Sequence, residues 1–203
     1  MDLILIRHPA PAIDAGVCYG RTDVPLAGHA PALADALAAR LETLKAPRPL
    51  ALWSSPLTRC ASIAALLAQR FGCAQTLDAR LQEIDFGAWE SLRWDDIDRA
   101  ELDEWAGNLQ HARVHGGESV AQFDARVRAW FDACVDERVA SFTPTERAAC
   151  HVVTHAGVMR VIASIALRIP LEQCLQWTLD MAGIVWLRRD SVSGGWALVR
   201  WNV

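Results

Sequence analysis

The stretch Leu3-Ile4-Leu5-Ile6-Arg7-His8 joins a short apolar run to a guanidinium and an imidazole at its end. A second run, Val152-Val153, leads into Thr154-His155, and a third, Leu50-Ala51-Leu52-Trp53, leads into residues 54–59. Short apolar runs separated by long helical patterns predict buried parallel strands in βαβ units. Ligands bind at the carboxyl ends of such strands, so the residues that follow each run are candidate site residues.

These patterns predict an α/β fold, a three-layer sandwich whose mainly parallel central sheet is flanked by helices. Strands are expected at residues 2–7, 50–54 and 150–154, and helices at 31–45, 59–71, 95–105, 119–139 and 158–168. Residues 183–188 and 196–201 predict an antiparallel hairpin at the sheet edge. We expect a single domain over residues 1–203, with a helical insertion at about 92–117 over the site.

Composition restricts the classes of partner. The chain is 52% hydrophobic, which suffices for a large core, and its net charge of −4 offers no basic surface for nucleic acid or anionic membranes. Because no leader or long apolar segment is recognisable, we expect a cytoplasmic protein. The six cysteines lack zinc-ligand spacing, so we interpret them as reduced, buried thiols and expect no metal. A homodimer stays open, since no feature identifies an interface.

Two histidines and two arginines converge on the predicted strand ends. A neutral imidazole can attack phosphorus and form a phosphohistidine, and His8 is the candidate nucleophile. Arginine presents a planar fork of donors that matches phosphoryl oxygens, which suits Arg7 and Arg59, and His155 can add a further donor. The partner indicated by these residues is a small-molecule phosphomonoester.

An alkoxide leaving group also needs a proton. Residues 81–90 offer Glu83, Asp85 and Glu90 within a largely apolar segment. Asp85 could instead bond to the backbone of its own turn, because short acidic side chains favour such local bonds. Glu118 and Ser119 have a comparable alternative, as groups at the start of a helix.

Five ordered motifs resemble those of the histidine phosphatase superfamily, which includes cofactor-dependent phosphoglycerate mutases and many small phosphatases. They are Arg7-His8, Ser54-Ser55-Pro56-Leu57-x-Arg59, Leu81-x-Glu83-x-x-x-Gly87-x-Trp89-Glu90, Gly116-Gly117-Glu118-Ser119 and Val153-Thr154-His155-Ala156-Gly157. The resemblance implies a phosphohistidine at His8 and a phosphate pocket of Arg7, Arg59 and His155. It also implies proton donation by Glu83, with no cofactor and no metal.

Within that superfamily the chain is most similar to alpha-ribazole phosphatases of cobalamin biosynthesis. The similarity lies in residues 19–26 and in the acid-bearing segment, and it makes Arg21 a candidate contact for phosphate or substrate. Trp94 or Trp105 could stack on an aromatic base of the substrate, whereas core packing is the expected role for most of the nine tryptophans. In mutases the catalytic His is usually followed by Gly-Glu-Ser, whereas this chain has Pro9-Ala10-Pro11 after His8. Mutase activity is therefore disfavoured.

Pro9 also departs from the family pattern, which usually has glycine at this position. Proline has no backbone N–H to offer a phosphate. The function predicted is hydrolysis of alpha-ribazole 5′-phosphate through a phosphohistidine. The alternatives are a broad-specificity histidine phosphatase and, further off, a phosphoglycerate mutase or a non-catalytic protein that binds a phosphate ligand.

Overall fold

The fold is built on a mixed six-stranded sheet in the part of the chain that the computed structural model describes, residues 1–141 and 149–203, with side chains omitted for 135–141. The strands are β1 (Asp2–Arg7), β2 (Ala51–Ser54), β3 (Gln75–Leu77), β4 (Ala149–Thr154), β5 (Ile184–Arg189) and β6 (Trp196–Arg200). Their order is β3-β2-β4-β1-β5-β6, with the first four parallel and the last two antiparallel to their neighbours.

Helices cover both faces of this sheet. They are α1 (Ala30–Thr43), α2 (Thr58–Phe71), α3 (Arg99–Gly107), α4 (Val120–Ser141), α5 (Ala156–Leu167) and α6 (Leu171–Leu175). Successive residues of a strand point to opposite faces of the sheet. Alternate side chains of β1 therefore pack into two different hydrophobic cores, one on each face. Leu3 and Leu5 pack with α4 and α5, whereas Ile4 and Ile6 pack with α1 and α2. The expected three-layer α/β sandwich is confirmed.

Most predicted elements lie within a few residues of the observed ones, and two differ. The helix expected at 95–105 is instead a short 3₁₀ turn, Trp94–Asp96, followed by α3 from Arg99. The break has a local cause, since the Asp98 carboxylate accepts from Ala100 N at 2.7 Å and so caps a new helix. Strand β3 was not predicted, because three half-exposed residues carry no alternation to detect.

The parallel pairing of β1 with β4 fixes the position of the candidate site. Arg7 lies opposite Thr154 in this register, so both strands end at the same edge of the sheet. Strand β2 adjoins β4 and ends beside it, with Ser54 opposite Val153. Five of the six cysteines are buried, and Cys73 is partly exposed. Across the described ranges, no helix is both long and apolar enough to cross a membrane.

Candidate active site

His8 and His155 meet at the carboxyl ends of β1 and β4. Their ring centroids are 5.2 Å apart at an interplanar angle of 64°. Each residue keeps only 1% of its surface exposed. Residues separated by 147 positions in sequence therefore share one dry corner, as the parallel register requires. We refer to Arg7, His8, Arg59 and His155 as the histidine corner.

The orientation of His8 is set by the next residue. Its Nδ1 lies 2.7 Å from the Pro9 carbonyl oxygen. Because a carbonyl only accepts, the proton is assigned to Nδ1, which leaves the lone pair on Nε2. Burial lowers the pKa of His8 to about 3, assisted by the nearby charges of Arg59 and Arg7, although the bond to Pro9 acts in the opposite direction. The ring is thus neutral near pH 7 and carries a lone pair on Nε2.

His155 is held from the other side by the segment that follows β2. Its Nε2 lies 2.8 Å from Ser55 Oγ and 3.5 Å from Cys60 Sγ. Burial lowers the pKa of His155 well below its ordinary value, and the positive charges around it act in the same direction. The ring is therefore neutral, and as a donor it has a single N–H to give.

Arg59 is fully buried beneath the loop that follows residue 18. Its Nη1 and Nη2 donate to the carbonyls of Thr22 and Gly20, both at 2.7 Å, and its guanidinium carbon lies 5.1 Å from the centre of the Tyr19 ring. The structure thus brings Arg59 close enough to act electrostatically on both histidines, while loop carbonyls already hold part of its fork.

Glu90 fastens that loop to the acid-bearing segment. Its Oε1 accepts from the backbone N–H of Arg21 at 2.8 Å and of Phe86 at 3.0 Å, and its Oε2 accepts from Thr22 N at 2.5 Å. Gly20 has a φ of +22°, and a Cβ there would lie 2.5 Å from the same carboxylate. The sequence offered Glu90 as a possible proton donor. In the structure its carboxylate is bonded to the loop whose carbonyls, at Gly20 and Thr22, accept hydrogen bonds from Arg59.

Glu83 faces the corner from the opposite side. Its carboxylate accepts from Gly157 N at 3.0 Å and from Ile84 N at 3.1 Å, and the side chain lines the same cavity as Arg7 and His8. A Cβ on Gly157 would lie 2.3 Å from Glu83 Oε1. The glycine that follows Ala156 therefore leaves room for the carboxylate and also supplies one of its donors.

Arg21 lies apart from this group. Its guanidinium pairs with Asp85 at 3.6 Å and Glu118 at 3.5 Å, and it is not part of the cavity lining. Glu118 also forms a two-pronged contact with Arg126, at 2.7 and 2.8 Å. Asp85 accepts from Gly87 N at 2.8 Å, which confirms its interpretation as a turn residue.

Ser119 has a structural role at the start of α4. Its hydroxyl accepts from Gln122 N at 3.2 Å, and the Gln122 side chain accepts from Ser119 N at 3.0 Å. This reciprocal pair is a capping box, which satisfies two backbone donors that the helix would otherwise leave unbonded. The helix-start alternative therefore describes Ser119.

A cavity of about 280 Å³ opens at Arg7 and His8, and Arg59 and His155 are not among its lining residues. Its lining is mainly apolar, and we call Phe86, Trp94 and Trp105 its aromatic wall. Phe86 packs edge-on against both tryptophans, with centroids 5.3 and 6.3 Å away. The wall thus includes both tryptophans that the sequence singled out, and Tyr19 and Phe123 add further aromatic surface.

Arg160 also lines this cavity and was missed in the sequence. It lies on α5, three residues after Gly157, so it projects one helical turn beyond the start of the helix that His155 precedes. The three-residue spacing from Gly157 to Arg160 was the signal in the sequence that could have identified Arg160 as a site residue. Arg160 is the one charged residue between Val158 and Ala163, which are otherwise apolar, and such a residue could equally lie at the surface.

Comparison with known proteins extends the similarity over the whole chain. The model of the histidine phosphatase superfamily, branch 1, matches residues 3–203. A mycobacterial glucosyl-3-phosphoglycerate phosphatase is 27% identical with a TM-score of 0.81, over 100% of this chain and 98% of that one. An alpha-ribazole phosphatase from Shigella flexneri superposes with a TM-score of 0.83 at 22% identity, over 100% and 96% of the two chains, which shows a shared fold.

Among curated proteins, a "Probable phosphoglycerate mutase" of Salmonella paratyphi C (strain RKS4594) is 31% identical over 141 residues. The match spans 67% of this chain and 64% of that relative's own length. The family model covers nearly every residue, and it includes both strand ends that carry the histidines. The chain belongs to the histidine phosphatase superfamily.

Proposed function

We propose that the chain is a phosphomonoesterase that works through a phosphohistidine on His8. The observation that carries the proposal is the hydrogen bond from His8 Nδ1 to the Pro9 carbonyl, at 2.7 Å, in a ring that burial keeps neutral. This arrangement presents the Nε2 lone pair as a nucleophile at neutral pH. Proline at position 9 keeps the carbonyl that orients the ring, although it has no N–H to offer a phosphate.

The first half-reaction is an in-line displacement at phosphorus. His8 Nε2 forms the N–P bond while the ester P–O bond breaks, and the protonated Glu83 carboxyl gives its proton to the departing alkoxide. Arg7, Arg59 and His155 stabilise the charge on the phosphoryl oxygens. Arg7 and Arg59 suit this role because, within the described residues, their buried Nε–H groups have no protein acceptor, and phosphoryl oxygens would supply one.

In the second half-reaction, water attacks the phosphohistidine. Glu83, now a carboxylate, takes a proton from that water as its oxygen bonds to phosphorus. The N–P bond breaks, the electron pair returns to His8 Nε2, and inorganic phosphate leaves. No step needs a cofactor or a metal, and the assignment of His8, Glu83, His155, Arg7 and Arg59 follows the family motifs residue by residue.

For the substrate we propose alpha-ribazole 5′-phosphate. The aromatic wall supports this choice, because an apolar cavity lined by tryptophan and phenylalanine favours a leaving group with an aromatic base. The sequence similarity of residues 19–26 supports it independently. Arg21 now has a different proposed role, which is to hold that loop through Asp85 and Glu118.

The test is phosphate release, measured as kcat/KM for alpha-ribazole 5′-phosphate against sugar phosphates, nucleotides and phosphoglycerates, with His8→Ala as control. A preference of roughly 100-fold, about 2.7 kcal/mol of differential transition-state binding, is expected for a dedicated enzyme. Uniform, His8-dependent turnover would instead indicate a broad-specificity phosphatase. Turnover that survives in His8→Ala, or no turnover at all, would contradict the mechanism.

A further inference from the structure

Arg160 is a cation in the wall of the cavity that Arg7 and His8 also line. It lines the cavity together with apolar neighbours on α5 and α6, among them Val161, Leu171 and Leu175. Its Nη2 donates to the Trp177 carbonyl at 3.0 Å, and its Nε is buried without a protein acceptor among the residues described. The guanidinium is therefore fixed in place while part of its donor capacity remains unused.

Among the described residues, Arg160 also has no ion-pair partner of opposite charge. In the described part of the chain no carboxylate lies within 4.0 Å of it, whereas Arg21, Arg80 and Arg126 all have such partners. Glu83 is the acidic group that acts on it, from beyond ion-pair distance, and Arg7 opposes that effect. Burial lowers the pKa of the Arg160 guanidinium, as expected for a cation that is partly removed from water. An unpaired and partly desolvated cation is costly unless a ligand satisfies it.

The phosphoryl group sits at His8 in the proposed mechanism, and Arg7 and Arg59 already serve it. Arg7 and Arg160 are held by carbonyls of one short segment, Leu179 and Trp177 respectively. One segment thus holds Arg7, which serves the phosphoryl group in the proposed mechanism, and a second cation that lines the same cavity.

We infer that Arg160 binds the leaving group: its guanidinium donates to an oxygen acceptor on the alcohol that departs from phosphorus, and it thereby selects phosphomonoesters that carry such an oxygen. The inference rests on the proposed phosphatase function. The acceptor chemistry is shared by a hydroxyl, as on a ribose, and by a carboxylate, as on a glycerate. Arg160 is then a specificity-determining residue of the same site.

The experiment compares three substrates with a three-carbon leaving group: propyl phosphate, glycerol 3-phosphate and 3-phosphoglycerate. Each is measured with the wild-type protein, with Arg160→Met and with Arg160→Lys. Methionine keeps an unbranched apolar side chain of similar reach and removes every donor. Arg168→Met is the matched control, because Arg168 ends the same helix and is exposed outside the cavity.

The quantity to follow is the selectivity ratio, kcat/KM for an oxygen-bearing substrate divided by kcat/KM for propyl phosphate. We expect Arg160→Met to lower this ratio about 10- to 100-fold, the range for a lost charge-assisted hydrogen bond. A fall with glycerol 3-phosphate assigns the acceptor as a hydroxyl, and a fall with 3-phosphoglycerate alone assigns it as a carboxylate. Arg160→Lys should restore part of the ratio, since it keeps the charge without the fork.

A structural role for Arg160 predicts a different result. Loss of the bond to Trp177 alone would lower the melting temperature and reduce kcat/KM equally for all three substrates, so the ratio would not change. An unchanged ratio in an active protein overturns the inference and leaves the phosphatase proposal intact. Absence of phosphate release by the wild-type protein from every substrate, alpha-ribazole 5′-phosphate included, overturns both.

Discussion

The histidine corner and the aromatic wall are built in opposite ways. In the corner, main-chain carbonyls fix most of the side chains: Pro9 orients His8, while Thr22 and Gly20 hold Arg59. His155 is instead held by the Ser55 hydroxyl. In the wall, side chains rest on each other, as Phe86 does on Trp94 and Trp105. Chemistry that tolerates little displacement is therefore attached to the sheet and its loops, and the leaving group meets side-chain packing that can change without disturbing that chemistry.

The largest effect should come from the corner itself. Replacing His8 with Ala removes the proposed nucleophile, and we expect kcat/KM to fall by about 10³-fold or more for every substrate. Steady-state phosphate release across the substrate panel measures this. An equal loss of kcat/KM for all substrates supports His8 as the nucleophile. A loss confined to bulky substrates would instead indicate that His8 contacts the leaving group, as the aromatic wall does.

Gly157→Ala tests the support of Glu83. The new Cβ would lie 2.3 Å from Glu83 Oε1, so the carboxylate must move, and we expect kcat to fall by about 10²-fold, within the range of general acid catalysis. Gly107→Ala is the matched control, because no atom lies within 4 Å of a Cβ at that position. Wild-type kcat in Gly157→Ala would argue against Glu83 as the proton donor.

Because His8 is buried and neutral, the free energy of unfolding should decrease as the solution becomes acidic. The pKa of His8 is about 3 in the folded chain and near 6.5 when unfolded, so between these values the unfolded chain binds more protons. Stability must then fall as the pH drops from 7 towards 5, by about 2 kcal/mol from this residue. Urea unfolding at both pH values should show a smaller loss for His8→Ala than for the wild type, and equal losses would contradict the prediction.

The wall should give the smallest and most selective change. Trp105→Ala removes one face of the cavity, and we expect kcat/KM for alpha-ribazole 5′-phosphate to fall by about 3- to 10-fold, the scale of one aromatic contact. Small aliphatic phosphomonoesters should be affected less. Equal losses for both classes would mean that Trp105 supports the fold rather than the leaving group.

The sequence predicts the meeting of the two histidines for a physical reason. The apolar runs of β1 and β4 have a clear pattern, and strand pairing converts that pattern into the meeting of His8 and His155. Parallel strands end together, so adjacency in space follows from the positions along two strands. The three-residue β3 has no such pattern and was missed.

Arg160 and Arg21 show what remains hidden. The ion pair of Arg21 with Glu118 joins residues 97 positions apart, and it depends on how loops pack rather than on any local period. Arg160 lies in an apolar helix, and whether its cation meets water or a cavity depends on where α6 and the Trp177 segment pack. Such contacts are set by tertiary packing and leave no periodic trace in the chain.

The acceptor that orients His8 is a main-chain atom, and this bears on how the protein can vary. A side chain at position 9 contributes nothing to the 2.7 Å bond, so every amino acid would bring the same carbonyl to that place. Mutation of one codon cannot delete this part of the machinery. A glycine and a proline at this position would both supply the acceptor for His8, and they differ in the backbone N–H that proline lacks.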